Sequence, residues 1–435
     1  MHFILRYTML KEINIRLTCM NPIRITIALA CSYFVFAILL NSVGTVILQA
    51  INSFDITKTQ ASVLEGYKDL TIAIVSFIVA SFIPRLGYKL AMLVALGLVA
   101  LMCLLMPSIA QFYAFKVLFA VIGCSFAIMK VSVYSVIGQV TDNANQHSAL
   151  LNTIEGIFML GVLSGYWVFS WFIDSSNAQN TAWLNVYYLL ALLAGMAFIT
   201  VLIAPIKVPQ KATLRTSQLA AFIDMLTLTY KPLVVIFIIS AFLYVLIEQG
   251  VGTWLPTFNN QVLKLPVDIS IQLASVFAAA LALGRLVAGQ ILRVIGWYSL
   301  LLSCLVAMGV LVLLVLPLTH EIDGSQVTSV FDVPFAAYML PLIGFFMAPL
   351  YPLLNSVMLS ALAAHQQAAM TGLIVVFSAL GGTTGSVITG FIFDKFSGQH
   401  AFYLTLIPIS LLLISVTLFK KMTVNLGAVP EKGTI

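Results

Sequence analysis

The chain of 435 residues carries a formal net charge of +6, yet 61% of its residues are hydrophobic and only 8% are charged. A soluble domain has roughly 25% charged residues, so this chain has too little polar surface to face water on all sides. Composition therefore excludes a soluble enzyme and predicts an integral protein of the lipid bilayer. The basic residues are scattered over predicted loops, so we expect no nucleic-acid partner.

Apolar runs fill nearly the whole chain, and a spanning helix needs about 20 mostly apolar residues. The runs predict helices over residues 25–50, 59–84, 88–108, 112–139, 148–172, 182–205, 232–256, 267–293, 298–318, 335–362, 368–393 and 400–420. This pattern indicates an all-α membrane protein with twelve transmembrane helices. It leaves no room for a separate catalytic domain.

A polar stretch near the middle of the chain separates the helices into two groups of six. The predicted divisions are an N-terminal tail (1–24), a first six-helix half (25–205), a linker (206–231), a second half (232–420) and a C-terminal tail (421–435). Lysine and arginine are concentrated in the tails, the linker and the other loops on the same side. Because such an excess marks cytoplasmic loops, we predict that both termini are cytoplasmic. We expect the membrane to be the inner membrane of a bacterium.

Short motifs recur in the same order in both halves. Residues 41–45 in helix 1 match residues 249–253 in helix 7 at an offset of 208 positions. At offsets of 220 and 221, the glycines at 161, 165 and 123 match those at 381, 385 and 344. These matches predict two six-helix repeats, the architecture of alternating-access transporters that hold their substrate between the halves.

Helix 2 carries Glu65, Lys68 and Asp69, which are spaced i, i+3 and i+4 and therefore share one helical face. Ionisable groups at bilayer depth cost several kcal/mol and usually face a bundle interior or a water-filled cavity. We expect this cluster to line such a cavity. The alternative is that helix 2 begins later and the three side chains are solvated near the outer surface.

Lys130 in helix 4 and Glu155 in helix 5 are expected at similar depths on consecutive antiparallel helices. A carboxylate that pairs with lysine in one conformation and is desolvated in another changes its proton affinity between them. We therefore predict that Lys130 and Glu155, with Glu65 and Asp69, carry proton coupling. A purely structural ion pair is the alternative, and Na⁺ coupling through Asp69 or Glu65 stays open.

The segment from Tyr244 to Trp254 in helix 7 combines a carboxylate, an amide, an indole and several glycines. Aromatic faces beside such hydrogen-bonding groups suit a polyhydroxylated ligand. An interfacial position is an equally good interpretation of the indole. Together with positions suggested by the repeat, the predicted substrate-binding residues are Asn41, Glu248, Gln249, Trp254 and Tyr351.

Arg85, at the end of helix 2, and Arg285, inside helix 8, are the predicted gating residues. The five cysteines have no CxxC spacing, and the five histidines fall in tails or loops without paired spacing. We therefore expect no disulfide, no metal site and no cofactor. The sequence also has no nucleophile motif, so we expect a transporter rather than an enzyme.

On these residues the chain resembles the major facilitator superfamily over nearly its full length. The segment from Tyr244 to Trp254 and the turn at residues 86–89 are most similar to the fucose:proton symporter family of sugar permeases. The superfamily's loop after helix 2 is degenerate here, with Ala80 and Pro84 at its usual glycine and acidic positions. Lys130 also stands where relatives have a carboxylate, so fucose and the family's proton site do not transfer.

The resemblance implies a monomeric, proton-coupled symporter of a sugar or similar small polar metabolite. Because Lys130 replaces an acid, an anionic substrate such as a sugar acid is an alternative within this class. The alternative function is an efflux carrier for drugs or metabolites, which shares the fold but usually has a more hydrophobic cavity.

Overall fold

The computed structural model describes residues 2–141, 143–177, 179–206, 223, 225–319 and 322–425. Of the described residues, 84% are helical and none lies in a strand. Buried side chains from all the membrane helices form one apolar core. The predicted all-α fold class is confirmed.

Within the described residues, twelve membrane helices, α1 to α12, follow one another, and several are interrupted. The first six are α1 (His2–Asn41, continued by Val43–Phe54), α2 (Lys58–Leu86), α3 (Tyr88–Ile109), α4 (Phe112–Val140), α5 (Ala144–Ser170) and α6 (Val186–Ile203, after the 3-10 turn Ala182–Asn185). The second six are α7 (Pro232–Gly252, continued by Leu255–Gln261), α8 (Val267–Ile291), α9 (Trp297–Leu318), α10 (Phe335–Met339, Ile343–Met347 and Leu350–Ser360), α11 (Ala364–Lys395) and α12 (Gly398–Tyr403 and Leu406–Asn425).

Eleven of these units contain a stretch long and apolar enough to cross a membrane. The twelfth, α2, has 29 residues and is about 43 Å long at 1.5 Å per residue, which is ample to cross a bilayer. Its apolar character is interrupted by Glu65, Lys68 and Asp69, in addition to Lys58 at its start. The chain is thus a multi-pass integral membrane protein, as predicted.

The alternating helix directions define two ends of the bundle. We call the end where α1 stops at Phe54 and α2 starts at Lys58 the loop face. We call the opposite end, where α6 stops and α7 starts, the linker face. Most of the linker between them, residues 207–222, lies outside the described residues.

The repeated glycines make equivalent helix contacts in both halves. Gly161 of α5 packs on α1, where a Cβ would lie 2.7 Å from the carbonyl oxygen of Phe34. Gly381 of α11 packs on α7 against the carbonyl oxygen of Phe242, which is 208 positions after Phe34. Small residues at such points allow close helix approach in membranes. The predicted repeat is therefore visible in the packing of α5 on α1 and α11 on α7.

The repeated segments at residues 41–45 and 249–253 lie at the interruptions of α1 and α7. Gly44 packs against the carbonyl oxygen of Thr253, so α1 and α7 touch at these interruptions. A side chain at Gly44 would separate the two helices. The motif that relates the halves in sequence therefore also joins them in space.

Candidate functional site

A cavity of about 190 Å³ lies between the two halves, next to the contact of α1 with α7. Helices α1, α2 and α5 supply one wall, and α7 and α8 supply the other. Asn41 is exposed although the following residues of α1 are buried, so the cavity admits water. Its polar lining consists of Asn41, Glu65, Lys68, Tyr166, Glu248, Gln249 and Thr253.

The charged face of α2 is buried inside the bundle. Glu65, Lys68 and Asp69 are 0%, 6% and 8% exposed, respectively. The Lys68 ammonium forms an ion pair with Glu65 and a second one, at 3.4 Å, with Asp69. The alternative of solvated side chains near the surface is therefore wrong, and we call these three residues the α2 charge cluster.

Glu65 connects the two halves through its carboxylate. The side-chain amide of Gln249 donates to Oε1 at 2.9 Å, and the hydroxyl of Thr253 donates to Oε2 at 3.0 Å. Both donors belong to α7. The predicted substrate residue Gln249 and the predicted coupling residue Glu65 thus form one hydrogen-bonded group.

Other polar groups surround the α2 charge cluster. Asp69 abuts Gly382 of α11, where a Cβ would overlap its carboxylate. Tyr166 of α5 and Glu248 of α7 are close enough to interact electrostatically with the cluster. With one lysine for two carboxylates, the cluster is negatively charged when all three groups are ionised.

Glu248 is held by an aromatic pair of the second half. The Tyr244 hydroxyl donates to Glu248 at 3.0 Å, and the rings of Tyr244 and Tyr351 are stacked at 5.4 Å. The Tyr351 hydroxyl is hydrogen-bonded to Ser378 at 2.9 Å. Tyr351 is not among the cavity-lining residues, so its predicted role in the substrate site is corrected to support of Tyr244.

Trp254 is fully buried and does not line the cavity. Its indole nitrogen donates to the carbonyl oxygen of Ser386 at 3.0 Å, and its ring lies 5.8 Å from that of Phe393. Both expectations for this residue, substrate binding and an interfacial position, are corrected. The indole fills the contact between α7 and α11.

Lys130 and Glu155 are neighbours but form no direct ion pair. The Tyr134 hydroxyl donates to Glu155 at 2.8 Å, and the Lys130 ammonium lies 5.9 Å from the centres of the Phe126 and Tyr134 rings. Such distances allow cation–π attraction. The predicted Lys130–Glu155 pair is therefore corrected to two groups that meet through Tyr134.

Of the two predicted gating arginines, Arg285 has an exposed side chain whose Nη1 lies 3.7 Å from the sulfur of Met159 on α5. It is also near enough to Glu248 and Tyr244 to interact electrostatically. Arg285 thus joins α8 to the opposite half. The side chain of Arg85 lies outside the described residues.

The described hydrogen bonds between the halves are concentrated toward the loop face. The Thr59 hydroxyl donates to Asp394 at 3.0 Å, joining α2 to α11. The Ser175 hydroxyl donates to Asp268 at 2.5 Å, and the Gln272 amide donates to Ser170 at 3.1 Å. These contacts close the loop face above the cavity.

Sequence reasoning missed Thr253, Tyr166 and Tyr134. Thr253 belongs to the repeated motif, so its place beside Gly252 was a usable signal. Tyr134 is four residues after Lys130 and shares its helical face, which was also readable. Tyr166 had no comparable signal because nothing in its neighbourhood marks a cavity.

Three comparisons relate the chain to known proteins. A sequence profile of the Major Facilitator Superfamily matches residues 26–382. No curated protein matches the chain. Many solved structures share the fold at low sequence identity.

Similar structures include a bacterial homologue of the human lysosomal transporter Spinster in an inward-facing conformation, with 13% identity and a TM-score of 0.74 over 93% of this chain and 98% of that one. The nucleoside transporter NupG has 16% identity and a TM-score of 0.69 over 91% and 99%. The E. coli fucose:proton symporter FucP has 15% identity and a TM-score of 0.58 over 90% and 98%. The expected likeness to the fucose symporter is confirmed in fold.

Proposed function

Because the chain belongs to the Major Facilitator Superfamily and is a membrane transporter rather than an enzyme, we propose that it is a proton-coupled symporter of a small polar solute. Sugars and nucleosides are the solutes named for similar structures, and protons are named for the fucose symporter. The solute would occupy the cavity between the halves. Asn41, Glu248 and Gln249 would bind it there.

The observation that carries the proposal is the position of Glu65. Its carboxylate belongs to the buried α2 charge cluster, lines the cavity and, besides its bond from Lys68, accepts two hydrogen bonds from the opposite half. A group with these three properties senses the solute and the separation of the halves at once. No other carboxylate in the described part of the chain combines them.

Opening the loop face would separate α2 from α7 and remove the donors Gln249 and Thr253 from Glu65, which keeps its bond from Lys68. A buried carboxylate that loses two of its three hydrogen bonds is less stable as an anion, so its affinity for a proton rises. The excess negative charge of the cluster acts in the same direction. Tyr166, Asp69, Glu248 and Lys68 also face this site, and of these only Lys68 opposes protonation.

The resulting cycle follows from this linkage. Glu65 binds a proton while the loop face is open, and the closed loop face restores the bonds from Gln249 and Thr253 and releases the proton toward the linker face. A proton or solute shifts the equilibrium toward the conformation that binds it more tightly, as alternating access requires. Solute that enters with the proton from the loop face is released with it toward the linker face.

The decisive variant is Glu65→Gln. Its amide keeps an acceptor oxygen for the donors of α7, but it has no carboxylate that can bind and release a proton. In proteoliposomes with an internal pH dye, wild-type protein should show solute-dependent proton uptake. The variant should lose uphill uptake while retaining solute exchange. Proton uptake equal to wild type in this variant would refute the role of Glu65.

Two further variants complete the assay. Asp323→Asn changes a loop carboxylate that is 62% exposed and far from the cavity, so it should transport normally. Glu155→Gln tests the other expected coupling group, which is bound to Tyr134. If only Glu155→Gln uncouples transport, the proton site belongs to α5 instead of α2. Export without any uptake would instead indicate an efflux carrier.

We also propose the orientation and the divisions expected from the basic residues. The halves would span residues 25–205 and 232–420, joined by the cytoplasmic linker 206–231, with cytoplasmic tails at 1–24 and 421–435. The loop face would then be external. A green fluorescent protein fused to the C-terminus should fluoresce in bacteria, whereas an alkaline phosphatase fusion there should be inactive.

A further inference from the structure

We propose that Lys130 and Arg285 bind the negatively charged group of the transported solute, which makes a small organic anion the substrate class. The inference rests on the proposed symport and specifies its solute. It starts from two basic side chains, one in each half, that the coupling cycle does not use. Both are exposed although both lie within membrane-spanning helices.

Arg285 lies on the linker-face side of the cavity, one helical turn beyond the last cavity-lining residue of α8. Phe277 and Leu281 of α8 line the cavity, and Arg285 follows at the same four-residue spacing on that helical face. Its guanidinium reaches across to Met159 of α5. Arg285 therefore stands on the linker side of the cavity and spans the gap between the halves.

Lys130 approaches the same place from the first half. It lies ten residues before the end of α4, and Glu155 lies eleven residues after the start of α5, so both are about 15 Å from the linker face. Glu155 is one helical turn from Met159, which contacts Arg285. The two cations thus lie on either side of one turn of α5.

Neither cation has an acidic partner of its own. Among the described residues, no carboxylate oxygen lies within 4.0 Å of the Lys130 ammonium or the Arg285 guanidinium. The nearby carboxylates of Glu155 and Glu248 each accept a hydrogen bond from a tyrosine of their own half. The cations are therefore free to take a further acceptor.

A cation at this depth costs several kcal/mol unless an anion or water compensates it. A solute anion would supply that compensation from both halves at once, because arginine offers a planar fork of donors and lysine a point charge. The cavity of about 190 Å³ is smaller than the roughly 300–1,000 Å³ of sites for drug-sized ligands. The part of the solute in this cavity is therefore small, with polar groups for Asn41 and Gln249. Its anionic group lies on the linker-face side, because neither Lys130 nor Arg285 lines the cavity.

The first experiment compares solutes that differ only in charge. Purified wild-type protein is tested by thermal shift with D-glucose, D-glucuronate and D-glucose 6-phosphate, with uridine and uridine monophosphate, and with glycerol and glycerol 3-phosphate. Ligands that bind the folded state raise the melting temperature. We expect stabilisation by anionic members only, and comparing carboxylate with phosphate identifies the anionic group.

Stabilisation by the neutral members alone would overturn this inference and leave the proposed symport standing. If no member of any set stabilises the protein or enters proteoliposomes, the proposed function fails together with it. The two failures are therefore distinguishable. The result does not depend on a variant that might fold poorly.

The second experiment uses variants with the anion that binds best. Lys130→Gln and Arg285→Gln should each weaken its binding about tenfold to a hundredfold, the usual loss of a charged hydrogen bond. Lys130→Arg keeps the positive charge and should therefore bind the anion with most of the wild-type affinity. Lys264→Gln, which alters a lysine 63% exposed at the loop face, is the matched control and should bind normally. Equal anion affinity in all four variants would contradict the proposal.

Discussion

The two halves of this transporter share one packing scheme but differ in where they carry charge. Gly161 on Phe34 in the first half corresponds to Gly381 on Phe242 in the second. The positions that correspond to Glu65, Lys68 and Asp69, however, are the apolar Leu273, Val276 and Phe277 of α8. Contacts that hold helices together are repeated, whereas the buried charges of α2 are present only once.

Polar groups between the halves also follow this division. The first half provides the acceptor Glu65, and the second half provides the donors Gln249 and Thr253. Two identical halves would bring like charges together at the interface, which costs free energy in a low-dielectric interior. Asymmetry thus allows the halves to bind each other reversibly.

The largest expected effect is on the α2 charge cluster. Lys68→Met leaves Glu65 and Asp69 buried without a counter-charge, and breaking a buried ion pair costs about 3–5 kcal/mol. The change at the corresponding position of α8, Val276→Met, replaces one apolar side chain by another at a half-buried position and leaves no charge unpaired, so it should cost less. Unfolding in detergent measures both. Equal stabilities for the two variants would show that the ion pairs of the α2 charge cluster do not contribute to the free energy of unfolding.

Next in size is the glycine packing. At Gly385 a Cβ would overlap the carbonyl oxygen of Leu246, so Gly385→Ala should cost about 1–3 kcal/mol. At the corresponding Gly165 the nearest atom of Ile38 is 3.4 Å away, so Gly165→Ala should cost less. Gly195→Ala is the control, because nothing lies within 4 Å of that position. Thermal unfolding gives the order, and a reversed order would mean that the second half is the looser one.

A smaller difference is expected between the two tyrosine–glutamate pairs. Tyr244 is 1% exposed, so Tyr244→Phe should remove about 1 kcal/mol of stabilisation that water cannot replace. Tyr134 is only half-buried, and water can replace its hydroxyl beside Glu155. Denaturant titration of both variants should give the larger loss for Tyr244→Phe. The opposite result would assign the more rigid carboxylate to the first half.

The smallest effect concerns closure of the loop face. Thr59→Ala removes one hydrogen bond to Asp394, worth about 0.5–1 kcal/mol, which should shift the population of closed molecules only several-fold. A cysteine is introduced by Asn41→Cys, and a thiol reagent is added from the loop-face side. The rate at which the reagent labels this cysteine should rise by the same several-fold factor. Thr229→Ala serves as the control, because the Thr229 hydroxyl donates to the carbonyl oxygen of Leu226 in the same segment and does not join the halves. Unchanged labelling would mean that this bond does not help to keep the face closed.

Much of the fold was readable because membrane insertion is a local property. The predicted span 88–108 differs by one residue from the observed Tyr88–Ile109, and 112–139 from Phe112–Val140. The helix α2 was also predicted, at 59–84 against the observed Lys58–Leu86, although its three buried charges make it the least apolar of the twelve. The repeat was also readable, because glycines at close contacts cannot be exchanged freely.

The candidate site was only partly predictable. The spacing of Glu65, Lys68 and Asp69 correctly indicated one buried face, and Asn41, Glu248 and Gln249 do line the cavity. The predicted partner of Lys130 was wrong, because equal depth on adjacent helices does not determine how each helix is rotated. Trp254 was misassigned for the same reason.

The amino-acid sequence by itself determined that this protein lives in a bilayer, crosses it about twelve times and is built from two related halves, since each of these follows from local hydropathy, charge and spacing. Only the tertiary structure decided that Glu65 meets Gln249 and Thr253, residues more than 180 positions away. Such contacts depend on the tilt and rotation of whole helices. Those are set by packing across the entire bundle, which no short segment encodes.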